Sequence, residues 1–329
     1  MPAGDARAGA RGPRRARAGS RAGPLPPVRA AGLVAGALRV ACAVEGAYSA
    51  HSAALLHSIA EHSSGLEVRV HYLHGPTFPR ADRDAIARMV SESAIQIEFT
   101  EIPPERVAGM PVMPEFTAAM WYRILLPELL PDTDRVLYLD VDTIVTDSLE
   151  PLVEIDLDGY YLAAVTNVLQ DSHAHRPHRL GLSGAGSYFN SGVLLMNLDE
   201  MRRDHCTDTL RRYAVGNAHW IEWPDQDTLN VILGPKRLPL HPRWNVMSSF
   251  RFPWAAEVFG SAALEEALRR PAIRHFEGPS VNKPWHYLFG HEGRELYMRH
   301  RRATPWPEVE TQGRTPANVV RRLLRRPVY

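Results

Sequence analysis

The chain has 329 residues, 45% of them hydrophobic and 23% charged, an ordinary globular composition with length for one large α/β domain or two small ones. Its 38 Lys and Arg against 37 Asp and Glu leave a formal charge of +1, so the total demands no acidic partner. Two cysteines, Cys42 and Cys206, exclude a disulfide framework and suit a reducing cytoplasm, and no apolar run approaches the roughly 20 residues that span a bilayer.

Residues 1–36 are rich in Arg, Ala, Gly and Pro, with Asp5 the one acid and no aromatic. Such a segment has little to bury and is expected to be disordered. Arg14-Arg15 ahead of the apolar patch Ala30 to Leu38 has the outline of a twin-arginine export signal, but the patch is short, Gly/Ala-rich and stopped by Arg39. No aromatic interleaves the arginines, which argues against a nucleic-acid arm. One domain is expected over 37–303, then a basic tail, 304–329.

Leu38 to Val44 reads as a buried strand and Ala50 to Glu61 has helical spacing, with Ala54, Leu55 and Ile59 on one face. Leu66 to Leu73 alternates like a strand, Ala81 to Val90 is a short helix, and Ile95 to Phe99 alternates again. This rhythm predicts an α/β fold, a Rossmann-like and largely parallel central sheet flanked by helices with right-handed crossovers. After a Pro-rich loop, Phe116 to Leu125 is expected to be helical and Arg135 to Leu139 a buried strand.

That strand runs into Asp140-Val141-Asp142-Thr143. Ligands of open α/β sheets bind beyond the carboxyl ends of strands, and residues i and i+2 of an extended segment point to one side. Asp140 and Asp142 can therefore hold a hard divalent cation, which would stabilise a leaving diphosphate. An ordinary solvated turn carries the same pair. Asp-x-Asp-x-Thr after an apolar strand is also the signature of haloacid-dehalogenase-like phosphatases, with Asp140 as nucleophile. That motif normally closes the first strand of its fold, whereas here three strands precede it, and no later Gly-Asp-x-x-x-Asp completes the site.

Tyr188-Phe189-Asn190-Ser191-Gly192 is a polar elbow feeding a buried run, Val193 to Leu198; a turn at the edge of the core reads the same way. In Trp223-Pro224-Asp225-Gln226-Asp227, Asp225 suits a helix N-cap, which leaves Gln226 and Asp227 unexplained in the first turn. His275 ends a short strand, Ala272 to Arg274, ahead of Gly278 and Lys283-Pro284-Trp285. A lone histidine is more often structural than a ligand. Here a neutral imidazole can complete a metal site begun by two carboxylates, and Lys283 can face a diphosphate as a point charge. At the C-terminus, four arginines surround Val319, Val320, Leu323 and Leu324, a pattern that suits either a frayed end or peripheral contact with an anionic membrane.

Taken in order, Tyr48, Tyr122-Arg123, Asp140-x-Asp142, Asn190-Ser191-Gly192, Asp225-Gln226-Asp227 and His275-x-x-Gly278 to Lys283-Pro284-Trp285 resemble glycosyltransferase family 8. That retaining family includes bacterial lipopolysaccharide galactosyl- and glucosyltransferases and glycogenin. The resemblance covers about Leu38 to His300 and implies a GT-A fold in a single catalytic domain. It implies a hexosyltransferase that moves glucose or galactose from a UDP-sugar to a glycan, lipid-linked or other acceptor. Asp140, Asp142 and His275 would be the ligands of Mn²⁺ or Mg²⁺. Gly278 and Lys283 would contact the diphosphate, Arg123 the donor, and Asn190, Gln226 and Asp227 the donor sugar. Nucleotide sugars are made in the cytoplasm, where the enzyme is expected to work.

Two positions depart from the family's pattern. Ala43-Val44-Glu45-Gly46-Ala47-Tyr48 replaces Ala-x-Asp-x-Asn-Tyr, so Glu45 stands for a uridine-reading Asp and Ala47 removes an Asn side chain, while Tyr48 can still stack on uracil. At Ala163 to Asn167, Asn167 stands where many members have an Asp. These departures motivate the alternative of a nucleotide-sugar binding protein without catalysis.

Overall fold

The computed structural model describes residues 37–113, 117–183, 186–290, 293–308 and 311–324. The expectation of disorder for 1–36 lies outside the described residues, as do Phe116 and the arginines at 325 and 326.

Nine strands form among the described residues: β1 (Leu38–Val44), β2 (Val68–His74), β3 (Ile95–Glu101), β4 (Arg135–Leu139), β5 (Thr143–Val145), β6 (Leu162–Thr166), β7 (Phe189–Asn197), β8 (Arg237–Pro239) and β9 (Ile273–His275). Seven make one sheet in the order β3-β2-β1-β4-β7-β6-β8, and β5 pairs only with β9. Strands β1 to β4 run parallel, and β6 pairs β8 in parallel. β7 lies antiparallel to both β4 and β6, so it alone reverses the chain direction in the large sheet.

Alternation along β1 explains the layering. Val40, Cys42 and Val44 pack on one side with Leu55, Leu56 and Ile59 of α1 (Ser49–His62). Ala41 and Ala43 face the other side with Trp121, Ile124 and Tyr138. Both faces are buried, as a parallel sheet requires. α2 (Arg80–Ser91) follows β2, and α3 (Pro224–Leu233), α4 (Gly293–Arg302) and α5 (Pro316–Leu324) complete the helices used below.

One local expectation is refined and one is corrected. The helical segment expected up to Leu125 is found over Ala118–Leu125 and winds as a 3₁₀ helix. Pro127 has no N–H for the Arg123 carbonyl, and the Met120 carbonyl accepts from Arg123's own side chain at 3.0 Å. Asp225 is not the N-cap of α3: Trp223 holds that place and Pro224 starts the helix, where a missing N–H costs nothing. The Asp225 carboxylate turns instead to Ser191 Oγ (3.1 Å) and the Arg123 guanidinium (3.5 Å). Asp227 reaches back to accept from the N–H groups of Glu222 (2.9 Å) and Trp223 (3.2 Å).

Candidate active site

β4 ends at Leu139, and the Asp140 N–H donates to Gly192 O of β7 at 2.8 Å. Thr143 then closes a tight turn, its N–H and hydroxyl both donating to Asp140 O. β5 starts at Thr143, which sits opposite His275 in the β5–β9 ladder. The ladder therefore brings a late histidine against the two mid-chain acids. His275 Nε2 lies 3.2 Å from Asp142 Oδ1 and 4.0 Å from Asp140 Oδ2, and one ligand atom from each of the three falls within 4.8 Å of the others.

Each group is aimed by a neighbour. Asp140 Oδ1 accepts from Arg123 Nη2 (2.8 Å) and Tyr138 OH (3.1 Å), which leaves Oδ2 toward His275. Asp142 Oδ2 pairs with Lys283, whose ammonium also donates to Phe276 O at 2.7 Å. Burial raises the Asp142 carboxyl, but Lys283 and His275 outweigh it and hold the group well below the usual carboxylate range. His275 Nδ1 donates to Asn245 Oδ1 at 3.0 Å, which leaves Nε2 as the ring nitrogen facing the acids. Two carboxylate oxygens and one imidazole nitrogen, converging in a small volume, fit a hard-to-borderline divalent cation.

Gly192 is required sterically. A Cβ there would lie against His275 Cε1 and 2.7 Å from Asp140 Oδ2, so the strand can pass behind the acid–imidazole cluster only without a side chain.

A hydrogen-bond chain extends from the imidazole. Asn245 Nδ2 donates to Asn190 Oδ1 (2.8 Å), Asn190 Nδ2 to Gln226 Oε1 (3.1 Å), Gln226 Nε2 to Tyr188 OH (3.2 Å), and Tyr188 OH to Asp227 Oδ1 (2.6 Å). Every donor points away from His275 toward Asp227, so the bonds polarise one another. Arg176 closes the far end on both Asp227 oxygens. Asp227 thus accepts five hydrogen bonds and is 1% exposed.

Asp140, Asp142, His275, Lys283, Arg123, Asn190 and Gln226 come together at one place, and Asp227 lies one residue beyond through Tyr188. Arg123 is 4% exposed and also donates to Ser191 O at 2.6 Å, so it meets Asp140 before it can meet a ligand. Glu45 and Tyr48 stand on the rim after β1. Glu45 accepts from Ala119 N at 3.3 Å. Tyr48 is 38% exposed, edge-on to Trp285, which stacks on His51. Gly278 turns the loop after β9 at φ +87, with Asn282 Nδ2 3.0 Å from where a Cβ would stand.

Asn245 and Arg176 escape sequence reasoning. Each is a single polar residue with no motif around it, and only the fold shows its partner. Asn245→Ala removes the partner of His275 Nδ1 and is expected to weaken divalent-cation binding at this cluster, if it binds one, about 10- to 100-fold; calorimetric titration checks this, and an affinity equal to that of the unchanged chain would refute the assigned role.

A family model described as glycosyl transferase family 8 matches residues 39–288. The chain belongs to glycosyltransferase family 8. It is therefore a glycosyltransferase, and the phosphatase reading of Asp140 falls away, since the acid pair stands after the fourth strand of a family-8 sheet. This family-8 chain is 28% identical to general stress protein A of Bacillus subtilis, over 74% of its own length and 85% of the relative's. It is 27% identical to the lipopolysaccharide glucosyltransferase WaaO of Escherichia coli, over 76% and 73%. Among solved structures it resembles the galactosyltransferase LgtC in complex with donor and acceptor sugar analogues, with a TM-score of 0.73, 26% identity and coverage of 82% of this chain and 96% of that one. The GT-A architecture expected from the family resemblance is the architecture found.

Proposed function

We propose that this family-8 glycosyltransferase moves glucose or galactose, with retention of configuration, from a UDP-sugar to a glycan or lipid-linked acceptor, and needs Mn²⁺ or Mg²⁺ on Asp140, Asp142 and His275. The convergence of those three side chains on one point carries the reading. A cation bound there supplies Lewis-acid charge for a leaving diphosphate. Lys283, beside Asp142, adds a second positive charge on the same side. Arg123 holds Asp140 aimed. Gly278 lets the loop backbone approach the diphosphate closely.

Neither residue nearest the sugar contacts is poised as a nucleophile. Gln226 is an amide, and the Asp227 carboxylate is saturated by five donors. Same-face substitution therefore fits better than a double displacement, with Asn190 and Gln226 orienting the sugar and Asp227 holding that pair in place. A covalent sugar adduct trapped on Asp227 would overturn this mechanism.

Tyr48 offers an exposed ring for the base. Tyr48→Ala is expected to raise the donor KM about tenfold, within the ~1–3 kcal/mol of one base–aromatic stack, while Tyr48→Phe stays near wild type; equal KM values for the two variants would remove the ring from base binding. The test of the whole reading is hydrolysis and transfer across a panel of nucleotide sugars with and without Mn²⁺. Turnover of one or two UDP-hexoses that stops on chelation supports it. Binding without turnover across donors and acceptors would make the chain a nucleotide-sugar binding protein.

No helix among the described residues is long and apolar enough to cross a membrane. α5 exposes Val320, Leu323 and Leu324 beside Arg321 and Arg322, which supports peripheral contact with an anionic inner membrane face from the cytoplasm. Deleting residues beyond 303 is expected to abolish sedimentation with anionic vesicles; unchanged sedimentation ends the idea.

A further inference from the structure

A second cluster of metal-ligating groups lies away from the acid–imidazole centre, where α1 packs along α4. His57 and Glu61 are four residues apart on α1, hence on one face a turn apart. His300 of α4 faces them. His57 Nδ1 and His300 Nδ1 are 3.0 Å apart, Glu61 Oε2 is 3.5 Å from His300 Nδ1, and one ligand atom of each residue lies within 4.8 Å of the other two.

Three further observations separate this cluster from a chance meeting of surface histidines. His300 is 0% exposed, and its Nε2 has no hydrogen-bond partner among the described residues, so its ring makes its close polar contacts through Nδ1, to His57 and Glu61. Arg299 holds Glu61 by Oε1, which leaves Oε2 for the cluster. An entry path exists too: His57 and Glu61 line a cavity of about 680 Å³ shared with Arg88 and Glu92 of the α2 end.

We propose that His57, Glu61 and His300 form a second cation site, for a borderline transition metal of the zinc class, which clamps α1 to α4. Two imidazoles and one carboxylate are a softer donor set than the two carboxylates and one imidazole around Asp140 and match Zn²⁺ chemistry. The cavity beside His57 and Glu61 would give water access to a bound ion. Because α1 begins directly after Tyr48 and α4 holds Tyr297 against His51 at 2.6 Å, the clamp would brace the helix pair behind the rim of the active site.

The test titrates Zn²⁺ alone into metal-free full-length protein by calorimetry, and Co²⁺ by visible absorption. The comparison uses Asp142→Asn, His57→Gln and Glu61→Gln chains, each checked for wild-type unfolding in chelator. The expected result is one Zn²⁺ site that survives Asp142→Asn, weakens at least tenfold in His57→Gln and in Glu61→Gln, and raises the melting temperature only where it is intact. Zn²⁺ affinity and stoichiometry that are the same in the Asp142→Asn chain with and without His57→Gln or Glu61→Gln would overturn the proposal. The two half-exposed α1 residues are substituted, rather than enclosed His300, so that folding is retained. Mn²⁺-dependent donor turnover by His57→Gln reports on the catalytic reading separately.

Discussion

Asp142→Asn is expected to lower kcat/KM for donor turnover about a thousandfold, roughly 4 kcal/mol of transition-state stabilisation. Asp142 is the junction of the site. It faces His275 Nε2 at 3.2 Å, holds Lys283, and stays ionised because those two groups outweigh the effect of its burial. Asparagine keeps the shape but removes one of two anionic ligands and the counter-charge of Lys283, while the Phe276 carbonyl still anchors the ammonium. The fold should therefore persist while Mn²⁺ affinity and turnover collapse together. Activity within threefold of wild type would show that no cation is needed at these residues. The acid limb of the pH profile belongs to His275. Burial lowers its pKa, but Asp142 and then Asp140 raise it above 6.5. The ring is protonated, and lost as a ligand, below that raised value. Mn²⁺ affinity is thus expected to begin falling at a higher pH than an ordinary histidine would give.

Arg176→Met is expected to destabilise the protein by about 3–5 kcal/mol, the cost of stranding a buried charge. Arg176 is 2% exposed; it contacts both Asp227 oxygens and Glu222 and lies over the Trp223 ring at 4.0 Å. Methionine fills much of the volume but leaves Asp227 enclosed, with only Tyr188 and two backbone N–H groups. The double variant Arg176→Met with Asp227→Asn should recover part of the loss, because the stranded charge is gone. Urea unfolding of the singles and the double measures this. A single-variant loss below about 1 kcal/mol would show that the pair does not organise α3.

The parallel half of the fold is legible in the sequence because β1, β2, β3 and β4 are apolar or alternating runs separated by a helical period or a Pro-rich break. The acids and His275 stand out for a related reason: polar groups at the ends of buried strands have no packing role. What the sequence hides is the aim of each side chain. Asp225 looks like a cap, yet Pro224 removes the need and Arg123 draws the carboxylate inward. Arg123 looks free to meet a donor, yet the 3₁₀ turn that carries it places the guanidinium on Asp140. Asn245 sits in Trp-Asn-Val with no pattern around it; its value comes from β9 and β7 passing beside it, contacts across distant parts of the chain.

The short pairing of β5 with β9 has a consequence for biosynthesis. A nascent chain that has left the ribosome as far as β7 holds both acids but no imidazole to face them, so the centre is incomplete until the final quarter has been translated and docked. Among the described residues β5 pairs with no other strand, so its ladder cannot form before β9 emerges. A cation that binds only the finished centre would favour completion by mass action, adding about 2.7 kcal/mol at a hundredfold excess over its dissociation constant. Manganese supply would then set how quickly newly made molecules escape proteolysis, as well as how fast mature ones turn over.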